Sequence, residues 1–165
     1  MQFYDAIGRR LKYRQLLLGL GLVGLLVVGK QFPSPLSAPV VFVDPRTQLT
    51  WQSCSAGMSQ LQEHCYGVAG LYDWQQALQY CAQLNGGQDW RLPTREELLA
   101  LVDWQQRTPA VPEALRSVTK NNVYWSATTS VDEPDKAYYV SMFSGFSYPN
   151  KKIIQGFVRC IKSRA

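Results

Sequence analysis

Histidine occurs once in this 165-residue chain, at His64, and no two cysteines stand in a C-x-x-C spacing. A thioredoxin-like redox pair is therefore absent. A zinc site would need four ligands, and His64-Cys65 is not a usual ligand spacing. Charge is scarce as well: 18% of residues are charged, against 46% hydrophobic. That balance excludes a chain that is disordered overall. Internal repeats are missing too. Of the 17 basic and 12 acidic residues, five basic and one acidic fall within residues 1–38. The rest nearly cancel. The net charge of +5 thus belongs mainly to the leader, and no general basic footprint for DNA or RNA is left, so nucleic acid is not an expected partner.

The leader itself reads "GRRLKYRQLLLGLGLVGLLVVGK". Arg9, Arg10, Lys12 and Arg14 precede an unbroken apolar run from Leu16 to Gly29. That run would span roughly 21 Å as a helix. It is short for a membrane span and long enough for a signal-peptide core. Arg14 and Lys30 can extend it by snorkelling. The expectation is a basic cytoplasmic segment over 1–14 and a hydrophobic helix over 15–30, acting as membrane anchor or signal peptide. The positive-inside rule exports the chain beyond Lys30. In a bacterium this means a single-pass inner-membrane protein with its C-terminal domain in the periplasm; the alternative is secretion after cleavage. "QFPSPLSAP" (31–39) reads as a proline-rich linker, a semi-rigid spacer of roughly 28 Å. Residues 40–165 form one domain by length.

Cys54, Cys65, Cys81 and Cys160 make an even set in an exported domain, which suggests disulfides. Four cysteines allow three pairings. Cys54–Cys65 would close a short loop, and Cys81–Cys160 would tie a helix to the C-terminal strand. The chain-entropy estimate is about 3 kcal/mol for the first and about 4.5 kcal/mol for the second.

"VVFVDPRTQLTWQ" (40–52) reads as two short strands around an Asp44-Pro45 turn. "YDWQQALQYCAQLNGG" (72–87) reads as a helix capped by Asp73 with Gln76 three residues on. Trp74, Ala77, Leu78, Cys81 and Ala82 make its apolar face. "VYWSAT" (123–128), "KAYYVSMF" (136–143) and "IIQGFVRCI" (153–161) read as strands, with "SGFSYPNKK" as the hairpin loop between the last two. The order β-β-α-α-β-β-β predicts an α+β domain with a small antiparallel sheet.

"WRLPTREELLAL" combines several local signals. Thr94 and Glu97 form a capping box, and Glu96 and Glu97 suit the positive end of a helix dipole. Pro93 keeps Leu92 extended. Trp90 and Leu92 can pack inward from an extended segment, leaving Arg91 to seek a carboxylate or a carbonyl elsewhere. Trp90, Arg91, Leu92, Pro93, Thr94 and Glu97 are therefore expected to be architecture, not a reactive site.

"LTWQ", "YDWQQALQYC", "WRLPTREELLALVD", "YWSATT", "AYYVSMFSG" and "VRCIK" succeed one another in this order. Together they resemble the C-terminal domain of the Legionella collagen-like adhesin, a bacterial family, over roughly Val41 to Lys162. The Trp90–Thr94 stretch and the Trp125-Ser126 pair are the most specific marks. The resemblance implies a C-type-lectin-like fold: two helices, a small antiparallel sheet, neighbouring chain ends and a Cys81–Cys160 bridge. It also implies export, with adhesion or glycan binding in some members. Calcium-dependent lectins hold calcium and sugar through acidic loop and strand motifs. Here only "DEPD" (132–135) echoes them, and it reads better as a solvated acidic turn. Formylglycine-generating enzymes share the broad fold and depend on cysteines. Both cysteine pairs here have structural roles, so that activity does not carry over.

No catalytic residue, metal site or cofactor is expected. An enzyme would need a nucleophile, a base and an orienting group, and the single histidine, His64, stands beside Cys65 in a loop that a disulfide would strap shut. The expectation is a non-catalytic, membrane-anchored or exported binding module, for glycans or adhesion. The alternative is an interaction subunit of an envelope complex. The candidate ligand surface is the hairpin loop with Phe146, Tyr148, Lys151 and Lys152, joined by Lys120.

Overall fold

The computed structural model describes residues 41–62, 64–87 and 89–162. The segments expected as membrane anchor or signal peptide and as linker lie outside these residues. Among the described residues, no helix is long and apolar enough to cross a membrane.

Among the described residues, nine short strands and three helices form a mixed α and β domain with three small antiparallel sheets. The first sheet has the order β1-β2-β9-β5, from Val41–Val43, Thr50–Gln52, Ile161–Lys162 and Trp90–Arg91. The first and last described strands thus share one sheet, with β2 between them. The second sheet is the hairpin β3-β4, Ser59–Leu61 with His64–Tyr66. The third is the meander β6-β7-β8, Val123–Thr129, Lys136–Ser141 and Ser147–Lys151.

Helix α1 spans Trp74–Gln83 and continues as a 3-10 turn over Leu84–Gly87. Asp73 caps it: Gln76 N–H donates to Asp73 Oδ1 at 2.8 Å, and Asp73 N–H donates to Gln76 Oε1 at 3.0 Å. Helix α2 spans Arg95–Ala100 and starts in the same way at Thr94. A third helix, α3, covers only Glu113–Arg116, directly after Pro112.

The meander divides the core because successive strand residues face opposite ways. Tyr124, Val140 and Met142 join Trp51, Leu98, Leu101 and Ile161 on one side. Trp125 and Ala137 join Ala77, Cys81, Trp90, Leu92 and Cys160 on the other. The two disulfides, Cys54–Cys65 and Cys81–Cys160, are those expected, and the second lies in the core beneath α1.

Three sequence expectations need correction. "IIQGFVRCI" is not one strand. Only Ile161 belongs to β9, while Gly156 and Phe157 make isolated bridges to Tyr72 and Tyr124. The segment threads between both cores and hydrogen-bonds to different neighbours along its length, such as Val123, Ala56 and Gln52. Ile154 lies exposed in the turn before it, whereas Val158 and Cys160 are fully buried. "SGFSYPNKK" is not a plain loop either, because Ser147–Lys151 is β8. Pro149 argues against a strand, yet it is tolerated because β8 is an edge strand and pairs only with β7. Finally, the described residues hold three sheets and three helices instead of one sheet and two helices.

Candidate functional site

The Trp90–Thr94 stretch is engaged inside the protein. Trp90 and Leu92 are buried in the core beneath α1, and Pro93 is buried beside them. Glu97 N–H donates to Thr94 Oγ1 at 3.2 Å, and Thr94 N–H donates to Glu97 Oε2 at 2.8 Å. Arg91 grips the same carboxylate with two bonds of 2.7 Å. The Arg91 side-chain hydrogen bonds are the main cause holding Glu97 below the usual carboxylate range, against the opposing effect of burial. Trp125 donates its indole N–H to Tyr72 O at 3.0 Å, and Ser126 Oγ donates to Tyr138 O at 2.7 Å. None of these side chains is free for chemistry on a bound molecule.

Because Glu97 titrates lower folded than unfolded, its stabilisation is complete above the unfolded value, near pH 4.3. It is lost as pH falls through the folded value. Glu97→Gln should therefore flatten acid destabilisation in the window below about pH 4.3. At neutral pH it should cost about 1–2 kcal/mol, from one cap and one partly exposed ion pair. Chemical denaturation at stepped pH measures both. Parallel curves for the two proteins through the acid limb would refute the assignment.

Other polar groups are committed too. Asp44 is buried, which alone would raise its carboxyl, but Arg46 outweighs burial and holds it lower. Arg46 in turn donates to the carbonyls of Ala100, Leu101 and Val102, at the negative end of α2. His64 lies on the exposed hairpin strand β4 and stacks beside Tyr66. Among the described residues no group of three His, Cys, Asp or Glu could hold a metal ion. In the acidic turn, Glu133 pairs with Lys136.

The candidate ligand surface is split. Phe146, just before β8, and Lys151, its last residue, stand five residues apart, roughly 17 Å at the strand rise. Lys151 pairs across from Lys136 at one end of the meander. Lys152 beside it is already in use: its ammonium lies 4.1 Å from the Trp74 ring centroid and donates to Pro134 O. Tyr148 sits mid-strand against Tyr139. Phe146 and Lys120 belong to the opposite end. There the 120–122 turn meets the 141–146 loop, since Met142 N–H donates to Asn122 O.

That second end holds residues that sequence reasoning missed. Ala110 N–H donates to Met142 O at 2.7 Å and brings the 103–110 loop alongside. Trp104 and Phe146 meet edge to face at 5.8 Å, yet remain 63% and 58% exposed. Phe143 is 65% exposed. A cleft of about 350 Å³ opens between the loops, lined among others by Trp104, Arg107, Phe143 and Ser144. The available signal was a tryptophan in a polar loop, "DWQQRTP", where no apolar periodicity calls for one.

Residues 40–162 match the Lcl C-terminal domain family. The chain belongs to this family. No curated protein matches it. As an Lcl C-terminal domain, the folded part carries the two disulfides that point to an extracytoplasmic setting. The Trp90–Thr94 stretch, Trp125 and Ser126 fall within the matched residues and are used there in packing, capping and hydrogen bonding.

Proposed function

We propose that this Lcl C-terminal domain is a non-catalytic binding module of the adhesin kind, displayed on the bacterial envelope and recognising glycans. In this reading residues 15–30 hold it at the inner membrane, residues 31–39 act as the stalk, and the domain adopts a C-type-lectin-like fold in the periplasm. One observation carries the functional part. Arg91, Glu97, Asp44 and the four cysteines are spent inside the protein, while large aromatic side chains stay on its surface. A protein that performs reactions needs assembled acids, bases or nucleophiles. One that recognises surfaces needs shape, aromatic area and hydrogen-bond donors.

The test is capture of the full chain, solubilised in detergent, on an array of immobilised glycans. Saturable retention without chemical change of the glycan is expected. Double replacement Lys151→Ala with Lys152→Ala is expected to leave most of that retention, since Lys152 is held by Trp74 and Pro134. Absence of retention on every glycan, or turnover that disappears in His64→Ala, would defeat the proposal.

A further inference from the structure

We infer that the cleft between the 103–110 and 141–146 loops is the sugar subsite, and that it takes a single pyranose ring by stacking its C–H face on Trp104 and Phe143. The inference rests on the glycan-binding reading above and gives it a location and a ligand chemistry. The cleft, at about 350 Å³, lies at the lower end of the ~300–1,000 Å³ typical of small-ligand sites. Its lining mixes aromatic faces with Gln106, Arg107, Thr108 and Ser144. Gln106 Oε1 and Ser144 Oγ already accept from Arg116 and from Phe146 N–H, whereas a purely apolar ligand would leave the Arg107 guanidinium without a partner. A pyranose has the matching character: apolar C–H bonds on its faces and hydroxyls around its rim.

The Trp104 wall is held in place before any ligand arrives. A Cβ on Gly145 would fall 2.7 Å from the Trp104 ring, so the indole packs directly on backbone. The opposite loop is tied down as well. Asp103 N–H donates to Ala110 O, and Arg116 reaches from α3 to Gln106 Oε1 and Arg107 O. Preorganised loops reduce the ordering cost of binding. Arg107 donates no side-chain hydrogen bond to any described residue and lines the cleft, so its guanidinium is available to ring hydroxyls. No carboxylate, histidine or cysteine lines the cleft. Glycoside hydrolysis commonly needs two carboxyl groups flanking the bond. Asp103 is turned onto the Gln105 N–H instead. The subsite therefore binds without cleaving.

The experiment uses the full chain in detergent with methyl β-galactopyranoside and methyl β-glucopyranoside, read by saturation-transfer NMR and titration. At least one should receive transfer at its ring C–H protons and bind saturably. Phe143→Ala, at a side chain too exposed to matter for folding, should weaken binding about five- to tenfold. Arg107→Gln should weaken it about three- to tenfold. Lys151→Ala should leave it unchanged. If glycans bind the wild type and Phe143→Ala binds equally well, the cleft assignment falls while the binding-module reading stands. If the wild type retains no glycan at all, both fall.

Discussion

Arg159→Ala is expected to cost about 3–5 kcal/mol, a large share of the roughly 5–15 kcal/mol that stabilises a domain of this size. Arg159 is only 1% exposed, and no carboxylate is among its partners. Desolvation holds its pKa below the usual guanidinium value, with Tyr124 opposing that effect. The charge is instead shared among five neutral acceptors. Nη1 donates to Gln52 O and Ser53 O at 3.1 and 2.7 Å. Nη2 donates to Ser55 Oγ, Val118 O and Thr119 Oγ1 at 3.3, 3.1 and 2.9 Å. Ser55 continues the network to the Tyr124 hydroxyl at 2.7 Å. Truncation takes the Arg159 donor from each of these groups, although Ser55 Oγ still donates to Val118 O and stays bonded to the Tyr124 hydroxyl, and it opens a cavity besides. Arg159→Met restores volume without donors and should recover only part of the loss. Urea denaturation at pH 7 measures both. A loss below about 1 kcal/mol in Arg159→Ala would mean that water reaches the carbonyls, which contradicts the burial of this side chain.

The second large effect concerns the bridge between α1 and the C-terminal segment. Cys81→Ala with Cys160→Ala should destabilise the domain by about 4.5 kcal/mol through the entropy of the opened chain. Both cysteines are fully buried, and their sequence separation of 79 closes most of the domain into one loop. The Cys54–Cys65 bridge, with a separation of 11, should contribute less, about 3 kcal/mol. The comparison is informative because the two losses differ in loop length as well as in location. Equal urea midpoints for the two double variants would show that the entropy argument fails in this domain. A reduced protein that retains its midpoint would show that neither bridge constrains the unfolded chain.

Much of the fold is legible in short stretches. The starts of α1 and α2 come from Asp73-x-x-Gln76 and Thr94-x-x-Glu97, because a cap is satisfied within four residues. The turn at Asp44-Pro45 and strands β1, β2, β6 and β7 come from similarly local alternation and turn signals. Elsewhere a local rule gives way to distant neighbours. Pro149 argues against a strand until β8 is known to be an edge. The β3-β4 hairpin carries no strong alternation, yet it forms beside the Cys54–Cys65 bridge. "IIQGFVRCI" has strand composition, but its partners change along its length, so no single ladder can form.

The candidate surface shows the same division. Phe146 and Lys151 look like neighbours in one loop, and the extended β8 sets them at opposite ends. Trp104, Phe143 and Phe146 come from segments some forty residues apart and meet only because Ala110, Met142 and Asn122 are joined by backbone hydrogen bonds.

Residues close together in the chain, or simple counting, suffice for the helix starts, the even set of cysteines, the inward-facing Trp90 and Leu92, and a folded part with almost no net charge. Contacts between distant segments are needed before Arg159 is buried, Lys152 is occupied and a cleft opens beside Trp104. Those outcomes depend on which carbonyls, rings and loops arrive from elsewhere in the chain. The energy of placing a charge or an aromatic ring is set by that company and not by its neighbours in sequence.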